Sequence, residues 1–274
     1  MNPLQTGGPL YDSRIRRAER LTATYPFAKE FLDLYRSLAD FQKSLFQQVA
    51  ADARNSETSA RDLREDLDLT YLLPHFHGFL SLVEETGPAT LAESARQISA
   101  LPSDSWVSLF TSYWSQAGRY DQQVGAFAQF FPRAFLQPYA ELLAAQTRKP
   151  PLATTPSVCP LCGARPLLGV LRPEGDGGKR FLLCSFCLHE WDFRRILCPT
   201  CGEEQESKLP VYVAEQFPHI RVETCDACKF YLRTIDLTKD GNAVPLVDDL
   251  AAIPLTLWAH EHGYSRPQPN LLGT

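Results

Sequence analysis

The chain has 274 residues, 44% hydrophobic and 22% charged, a composition that excludes wholesale disorder. Its 27 Lys and Arg face 32 Asp and Glu, with 15 basic and 17 acidic side chains in residues 1–155 and 12 and 15 in residues 156–274, so neither half has the basic excess of a phosphate-tracking surface. No apolar run is long enough to cross a bilayer (the uncharged stretch Leu69–Val83 holds Pro74, His75, His77 and Gly78), and the N-terminus, MNPLQTGGPLYDSRIRRAER, carries no hydrophobic signal segment; the expected location is the cytoplasm, without membrane insertion.

The first 150 residues read as helical. From Ala28 to Val49 the residues Phe31, Leu34, Tyr35, Leu38, Phe41, Leu45 and Val49 recur at steps of three and four, which puts them on one helix face. Weaker helical patterns follow over Leu63–Val83, Leu91–Leu101 and Trp106–Trp114. Pro88 and Ser103/Asp104 fit helix starts. A last helix is expected from Val124 to Ala145, broken or restarted at Pro132 and disturbed at Pro138. The stripe Trp106, Phe110, Tyr113 and Trp114 reads as core.

Residues 147–157, TRKPPLATTPS, hold three prolines and little apolar mass and read as a linker. Beyond them short apolar runs alternate with turns: Leu167–Leu171, Phe181–Leu183, Val211–Ala214 and Tyr231–Ile235. The segment Pro173–Gly178 suggests a hairpin tip. Residues 242–263 read as a closing helix that Pro254 interrupts or delays. The fold class expected is multidomain α+β. An all-α domain over residues 1–148 and a linker over 149–157 precede two tandem rubredoxin-like or zinc-ribbon modules, over 158–197 and 198–240. A C-terminal helix and tail occupy 241–274.

All eight cysteines lie in this second half, in four Cys-x-x-Cys pairs: Cys159/Cys162, Cys184/Cys187, Cys198/Cys201 and Cys225/Cys228. Cys159-Pro-Leu-Cys162-Gly163 and Cys198-Pro-Thr-Cys201-Gly202 open two repeats of similar size, as tandem modules would. Two cysteines separated by two residues turn both sulfurs toward one point, and the loop aims N–H groups at them. Two such knuckles complete an S₄ cage suited to Zn²⁺ or a single iron. Sequential pairing puts Cys159, Cys162, Cys184 and Cys187 on one ion and Cys198, Cys201, Cys225 and Cys228 on the other; interleaved pairing is the alternative. Four thiolates around a divalent ion leave a charge of −2, which Arg194, Arg195 and Arg233 are placed in sequence to offset. A disulfide framework fits a cytoplasmic chain poorly, and a thioredoxin-like dithiol requires one pair opening a helix. Four sulfur ligands also leave no open position for substrate.

His75 and His77 read as ordinary loop or packing residues, with chelation as the other reading. His189 follows cages already filled. Trp191, Phe193, Phe230 and Tyr231 flank the knuckles and read either as the modules' own cores or as a shield around iron. His260 and His262 have no evident acid–base partner. No phosphate loop, nucleophile elbow or convincing carboxylate pair is present.

In these motifs the chain resembles the formate dehydrogenase accessory protein family, FdhE. The residues that carry the likeness are Cys159–Gly163, Cys184-Ser-Phe-Cys-Leu-His-Glu-Trp191 running on to Arg195 and Cys198–Gly202, and Glu223-Thr-Cys225-Asp-Ala-Cys228-Lys-Phe-Tyr-Leu232. In the tail they are Val247-Asp-Asp-Leu-Ala251, Glu261-His-Gly-Tyr264 and Pro269-Asn-Leu-Leu-Gly273. Arg20-Leu21 and Tyr25-Pro-Phe27 carry a looser likeness. The resemblance implies a helical domain followed by two rubredoxin-like modules, with iron associated with the cysteines. It implies a cytoplasmic, non-enzymatic maturation factor whose partner is the molybdopterin- and iron–sulfur-containing catalytic subunit of formate dehydrogenase. The metal, iron or zinc, two ions per chain, is left open here, as is homo-oligomer formation. The competing readings are a zinc-ribbon nucleic-acid binder, a thiol oxidoreductase and a rubredoxin-like electron carrier.

Overall fold

The computed structural model describes residues 3–52, 63–65, 67–116, 126–147 and 155–273. Most of the expected linker, residues 149–154, and the expected start of the last helix at Val124 lie outside them. The described residues form helices α1 (Pro3–Thr24), α2 (Lys29–Asp52), α3 (Leu73–Thr86), α4 (Ala89–Ser99), α5 (Ser103–Ser115) and α6 (Ala126–Gln146). Strands β1 (Pro166–Glu174), β2 (Gly177–Cys184), β3 (Glu190–Asp192), β4 (Val211–Val213), β5 (Ile220–Thr224) and β6 (Tyr231–Asp236) follow, and α7 (Pro245–Ala251) and α8 (Ile253–Glu261) end the chain. The α+β arrangement expected from the sequence therefore holds.

The periodic face of α2 is buried as its spacing requires, with Leu34, Tyr35, Leu38, Leu45 and Val49 in the core. Helix α1 lies in the half read as helical, where no apolar period had marked an element. Gly7 has a packing reason: a Cβ there would lie 2.1 Å from the Phe46 ring, so the missing side chain lets α1 cross α2 closely. The region Leu63–Val83 forms one helical turn at Leu63–Glu65 and then α3. Pro88 and Ser103 stand at the starts of α4 and α5.

Helix α6 corrects the expectation of a break. It runs through Pro132 and Pro138 without interruption, and residues 129–144 are buried throughout. A proline inside a helix leaves the carbonyl four residues earlier unpaired. For Pro138 that carbonyl belongs to Ala134, and the buried Gln42 side chain on α2 donates its Nε2–H to it at 2.7 Å. Phe130, Phe131 and Phe135 of the helix form an aromatic cluster with Phe76 and Phe79 of α3 and Phe110 of α5. Each such side chain contributes about 1.5–3 kcal/mol on full burial, enough to outweigh one lost helix bond.

The strands form a single six-stranded sheet in the order β3-β2-β1-β6-β5-β4. Each repeat supplies three antiparallel strands, and the two halves join through a parallel pairing of β1 with β6, Gly169 to Thr234, Val170 to Ile235 and Leu171 to Asp236. A Cβ on Gly169 would lie 2.2 Å from Thr234 Oγ1, so the seam requires glycine there. The expected hairpin tip closes at Gly175–Asp176, with Gly175 at φ 56°, a two-residue turn of the kind that suits twisted strands. Cross-strand partners share a face. One face carries Leu182, Trp191 and Leu232 into the helical core. The other carries Val170, Ile220 and Ile235 into a second core beneath Leu255 and Ala259 of α8. The expected closing helix is two helices divided at Ala252, since Pro254 has no N–H to continue α7.

Buried ion pairs tie the ends of the chain to the middle. Arg14 on α1 pairs with Glu141 on α6 at 2.5 Å. Arg17 holds Asp248 on α7 at 2.5 Å, and Asp249 meets Arg233 at 2.8 Å and Arg266 at 2.9 Å. Burial alone would raise the Asp249 carboxyl, and these two guanidinium groups bring it below the usual range.

Replacing Gln42 by Leu leaves the Ala134 carbonyl buried without a donor. The expected loss is about 1–3 kcal/mol of unfolding free energy, read by urea denaturation. A loss within 0.3 kcal/mol would show that the carbonyl finds another partner.

Candidate metal centre

Each repeat places one Cys-x-x-Cys knuckle before an antiparallel strand pair and the second after it. The chain runs out and back along the hairpin, so its open end brings the two knuckles together. This is why gaps of about twenty residues close a small site. Cys159, Cys162, Cys184 and Cys187 form one group and Cys198, Cys201, Cys225 and Cys228 the other, with the sulfurs of each group within 4.8 Å of one another. The grouping is sequential.

The local backbone repeats four times. In every knuckle the first cysteine's N–H reaches the carbonyl five residues on: Cys159 to Ala164 at 2.8 Å, Cys184 to His189 at 2.9 Å, Cys198 to Glu203 at 2.9 Å and Cys225 to Phe230 at 2.9 Å. The residue after each second cysteine has positive φ: Gly163 73°, Leu188 54°, Gly202 78° and Lys229 59°. Glycine meets this demand at the first knuckle of each repeat. At the second, Leu188 and Lys229 hold a conformation that L-residues adopt at a cost. Within the loops Phe186 N–H and Cys187 N–H point at Cys184 Sγ (3.3 and 3.4 Å), and Thr200 N–H at Cys198 Sγ (3.4 Å).

Sulfur spacing tests the fit to a metal. Four thiolates about 2.3 Å from a tetrahedral ion stand about 3.8 Å apart, whereas bonded sulfurs stand about 2.05 Å apart. Contacts in the first group are 3.6 Å (Cys159–Cys187), 3.4 Å (Cys162–Cys184) and 3.6 Å (Cys162–Cys187). Those in the second are 3.8 Å (Cys198–Cys228) and 3.6 Å (Cys201–Cys225). Both groups fit a tetrahedral ion and could hold two metal ions between them. Without a cation the thiols of a group cannot all ionise together. Hydrogen bonds from Cys162, Cys184 and Cys187 hold Cys159 well below the usual thiol range, while burial pushes Cys184 up and neighbouring sulfurs push Cys187 up. Binding a metal would release those protons, so affinity would rise with pH.

The two sites differ in surroundings. The first is dry: all four cysteines are buried, and its sulfurs belong to the same core as the helical bundle. Phe186, between Cys184 and Cys187, packs edge-on against Trp114 (5.0 Å) and Tyr113 (5.7 Å) of α5. The second site is wet, with Cys201 exposed and Cys228 half-buried. Beside it a cleft of about 200 Å³ is lined by Ile196, Leu209, Val211 and Leu232, with Arg180 and Arg195. Ile196, Val211, Tyr212 and Val213 are 47%, 51%, 40% and 50% exposed. The sheet overhangs the bundle here, so the face that buries Leu182 and Trp191 at one end leaves Val213 open at the other.

Several flanking residues have other duties than those expected. Trp191 and Phe193 join the core shared with the bundle rather than a small core of their own. Arg194 pairs with Glu204, Arg195 donates to the Gly178 carbonyl at 2.5 Å and lines the cleft beside the second site, and Arg233 pairs with Asp249. His75 is half-buried and His77 exposed on α3, where His77 meets Ser99 at 3.4 Å. His262 stacks on Trp258. A third grouping, His219, Asp240 and Asp248, has its carboxylates already bridged by Arg17. Sequence reasoning missed Arg133 on α6, which reaches the Ser185 carbonyl between the first site's cysteines. Its signal was present: Arg133 and Glu141 are the only charges in α6.

A Cβ on Gly202 would meet no atom within 4 Å, so the cost of Gly202→Ala is backbone strain alone. The expected loss is about 1–2 kcal/mol in denaturant unfolding. Lys229→Gly, in the same conformation, is expected to move stability the other way. Equal stabilities for all three proteins would show that these loops relax freely.

Two family models match this half of the chain: "FdhE, central domain" over residues 158–195 and "FdhE, C-terminal domain" over residues 196–272. A protein of Aquifex aeolicus described as an FdhE homolog is 27% identical over 270 residues, 94% of this chain and 94% of that one. One from Pseudomonas aeruginosa is 39% identical over 124 residues, 42% of this chain and 39% of that one. The crystal structure of the FdhE protein from Pseudomonas aeruginosa superposes with a TM-score of 0.70 at 25% identity, covering 97% of this chain and 95% of that one. With both knuckle sets, the shared sheet and the helical bundle matched, the chain belongs to the FdhE family.

Proposed function

We propose that this chain is an accessory factor for formate dehydrogenase. It holds one metal ion in each set of four cysteines, engages the enzyme's molybdopterin- and iron–sulfur-containing catalytic subunit in the cytoplasm, and catalyses no reaction itself. The observation that carries the reading is the pair of sulfur cages with matching geometry and opposite environments. The buried first cage suits a structural ion that fixes the sheet on the bundle. The exposed second cage, beside a cleft lined by Ile196 and Val211 with Val213 on the same sheet face, suits contact with a client protein. That surface is apolar, which favours a protein partner over nucleic acid. The exposure of Cys201 is also what an electron carrier requires, and the redox reading of the second site rests on it.

Two sets of variants test this. Cys184→Ser removes a ligand inside the shared core and is expected to lower the melting temperature by ten degrees or more. Cys201→Ser is expected to leave the fold standing, with one metal lost per chain by elemental analysis. Equal melting temperatures for the two variants would refute the division into dry and wet sites. Val213→Lys is expected to weaken capture of the catalytic subunit at least tenfold with metal content unchanged. Undiminished capture would move the contact surface elsewhere, and no capture by the unmodified chain would refute the accessory role.

A further inference from the structure

Arg133 is a buried cation without an acid. It is 5% exposed and projects from the middle of α6. Its Nη1 donates to the carbonyls of Pro269 (2.8 Å) and Asn270 (3.0 Å), and its Nη2 to that of Ser185 (3.2 Å). Its Nε has no partner. Among the described residues no carboxylate lies within ion-pair distance of it. The nearest acid by electrostatic influence is Asp249, which already holds Arg233 and Arg266. Among the described residues, the partners of the Arg133 guanidinium are thus carbonyls alone.

A positive charge in a dry interior is costly unless something answers it. Burial already pulls the Arg133 guanidinium below its usual range, and Cys184 is among the groups acting against that. The Ser185 carbonyl it holds lies within the knuckle that presents Cys184 and Cys187. A divalent ion bound by four thiolates carries two negative charges, which can answer that of Arg133. Beside the second site the buried guanidinium, Arg180, already has an acid of its own in Glu223. Of the other cations around it, Arg194 pairs with Glu204, Lys208 with Glu203 and Lys229 with Asp226, Arg195 is held on the Gly178 carbonyl, and solvent screens the site's charge.

We propose that Arg133 is the counter-ion of the first cysteine site, stabilising its doubly negative metal–thiolate complex and tying occupation of that site to the seating of the Pro269–Asn270 tail on the bundle. This rests on the reading that Cys159, Cys162, Cys184 and Cys187 hold a metal. Arg133 is a positioning residue: it touches the knuckle backbone and acts on the metal through charge. Among oxidation states it favours the more negative complex, so it stabilises iron(II) over iron(III).

The test uses the full chain with the second site disabled by Cys201→Ser and Cys228→Ser, so that signals come from the first site. Cobalt(II) affinity is read by chelator competition on the sulfur-to-cobalt charge-transfer band. Arg133→Met is expected to weaken cobalt(II) at least tenfold, and Arg133→Lys, which keeps the charge and loses the fork, to stay within about threefold of the parent. In the iron-loaded protein the midpoint potential is expected to fall in Arg133→Met by about 59 mV for each tenfold change in the ratio of iron(III) to iron(II) affinity, and to be held by Arg133→Lys. Equal affinity and potential in Arg133→Met and the parent would overturn the proposal. So would an Arg133→Lys that falls as far as Arg133→Met, since that outcome makes Arg133 a hydrogen-bonding strut only. If Arg133→Met does not fold, Arg133→Gln, also neutral, gives the same comparison. A parent protein with no sulfur-to-cobalt band would refute the metal reading itself, a failure visible before any Arg133 variant is made.

Discussion

The insertion of Phe186 between Tyr113 and Trp114 is the contact on which the arrangement depends. Phe186 lies inside a Cys-x-x-Cys loop, so the loop that presents Cys184 and Cys187 also presents the ring that anchors the sheet to the helices. Its backbone N–H points at Cys184 Sγ, and the ring has no exposed surface. Moving the sulfurs would move the ring, and withdrawing the ring would open the core around both. The first site is therefore part of the helical bundle's interior, although its cysteines come from the β half of the chain.

The parallel seam between β1 and β6 carries this constraint across the molecule. Two modules with separate sheets could turn relative to one another. Here Gly169 against Thr234 locks them into one sheet, and α7 and the tail fasten that sheet to α1 and α6 through Asp248 and Asp249. One repeat is thereby pressed onto the bundle and the other held out beyond it. The difference between a dry site and a wet one comes from this placement, since the knuckles have nearly the same backbone.

The parts of the structure legible in the sequence were those set by local chemistry. Cys-x-x-Cys spacing, glycine after the first pair of each repeat, the apolar face of α2 and the PEGDGG turn each depend on residues a few positions apart. What was not legible depends on partners far along the chain. Helix α1 had no apolar period to mark it, and the packing reason for its Gly7, the Phe46 ring, lies on α2. Helix α6 was expected to break because the donor that replaces the missing Pro138 N–H is Gln42, 92 residues away along the chain from the carbonyl it serves. The counter-charge was sought at Arg194, Arg195 and Arg233, close to the cysteines in sequence. Arg133, a guanidinium that reaches a knuckle's backbone, is carried instead by α6 of the helical bundle.

This last displacement bears on how the two halves come to depend on each other. A guanidinium supplied from the knuckle's own loop would neutralise the site whether or not the bundle were present. Supplied from α6, it does so only when the sheet is seated. The Arg133 charge on α6 is likewise answered in the docked core by the thiolates. Parting the halves returns both charges to water, so the pair favours docking only by what their attraction gains over that hydration. Hydrophobic contact between Phe186 and α5 favours the docked state without regard to metal. The charge term adds selectivity, because it is satisfied only by a site whose thiolates have lost their protons, the state a bound ion secures.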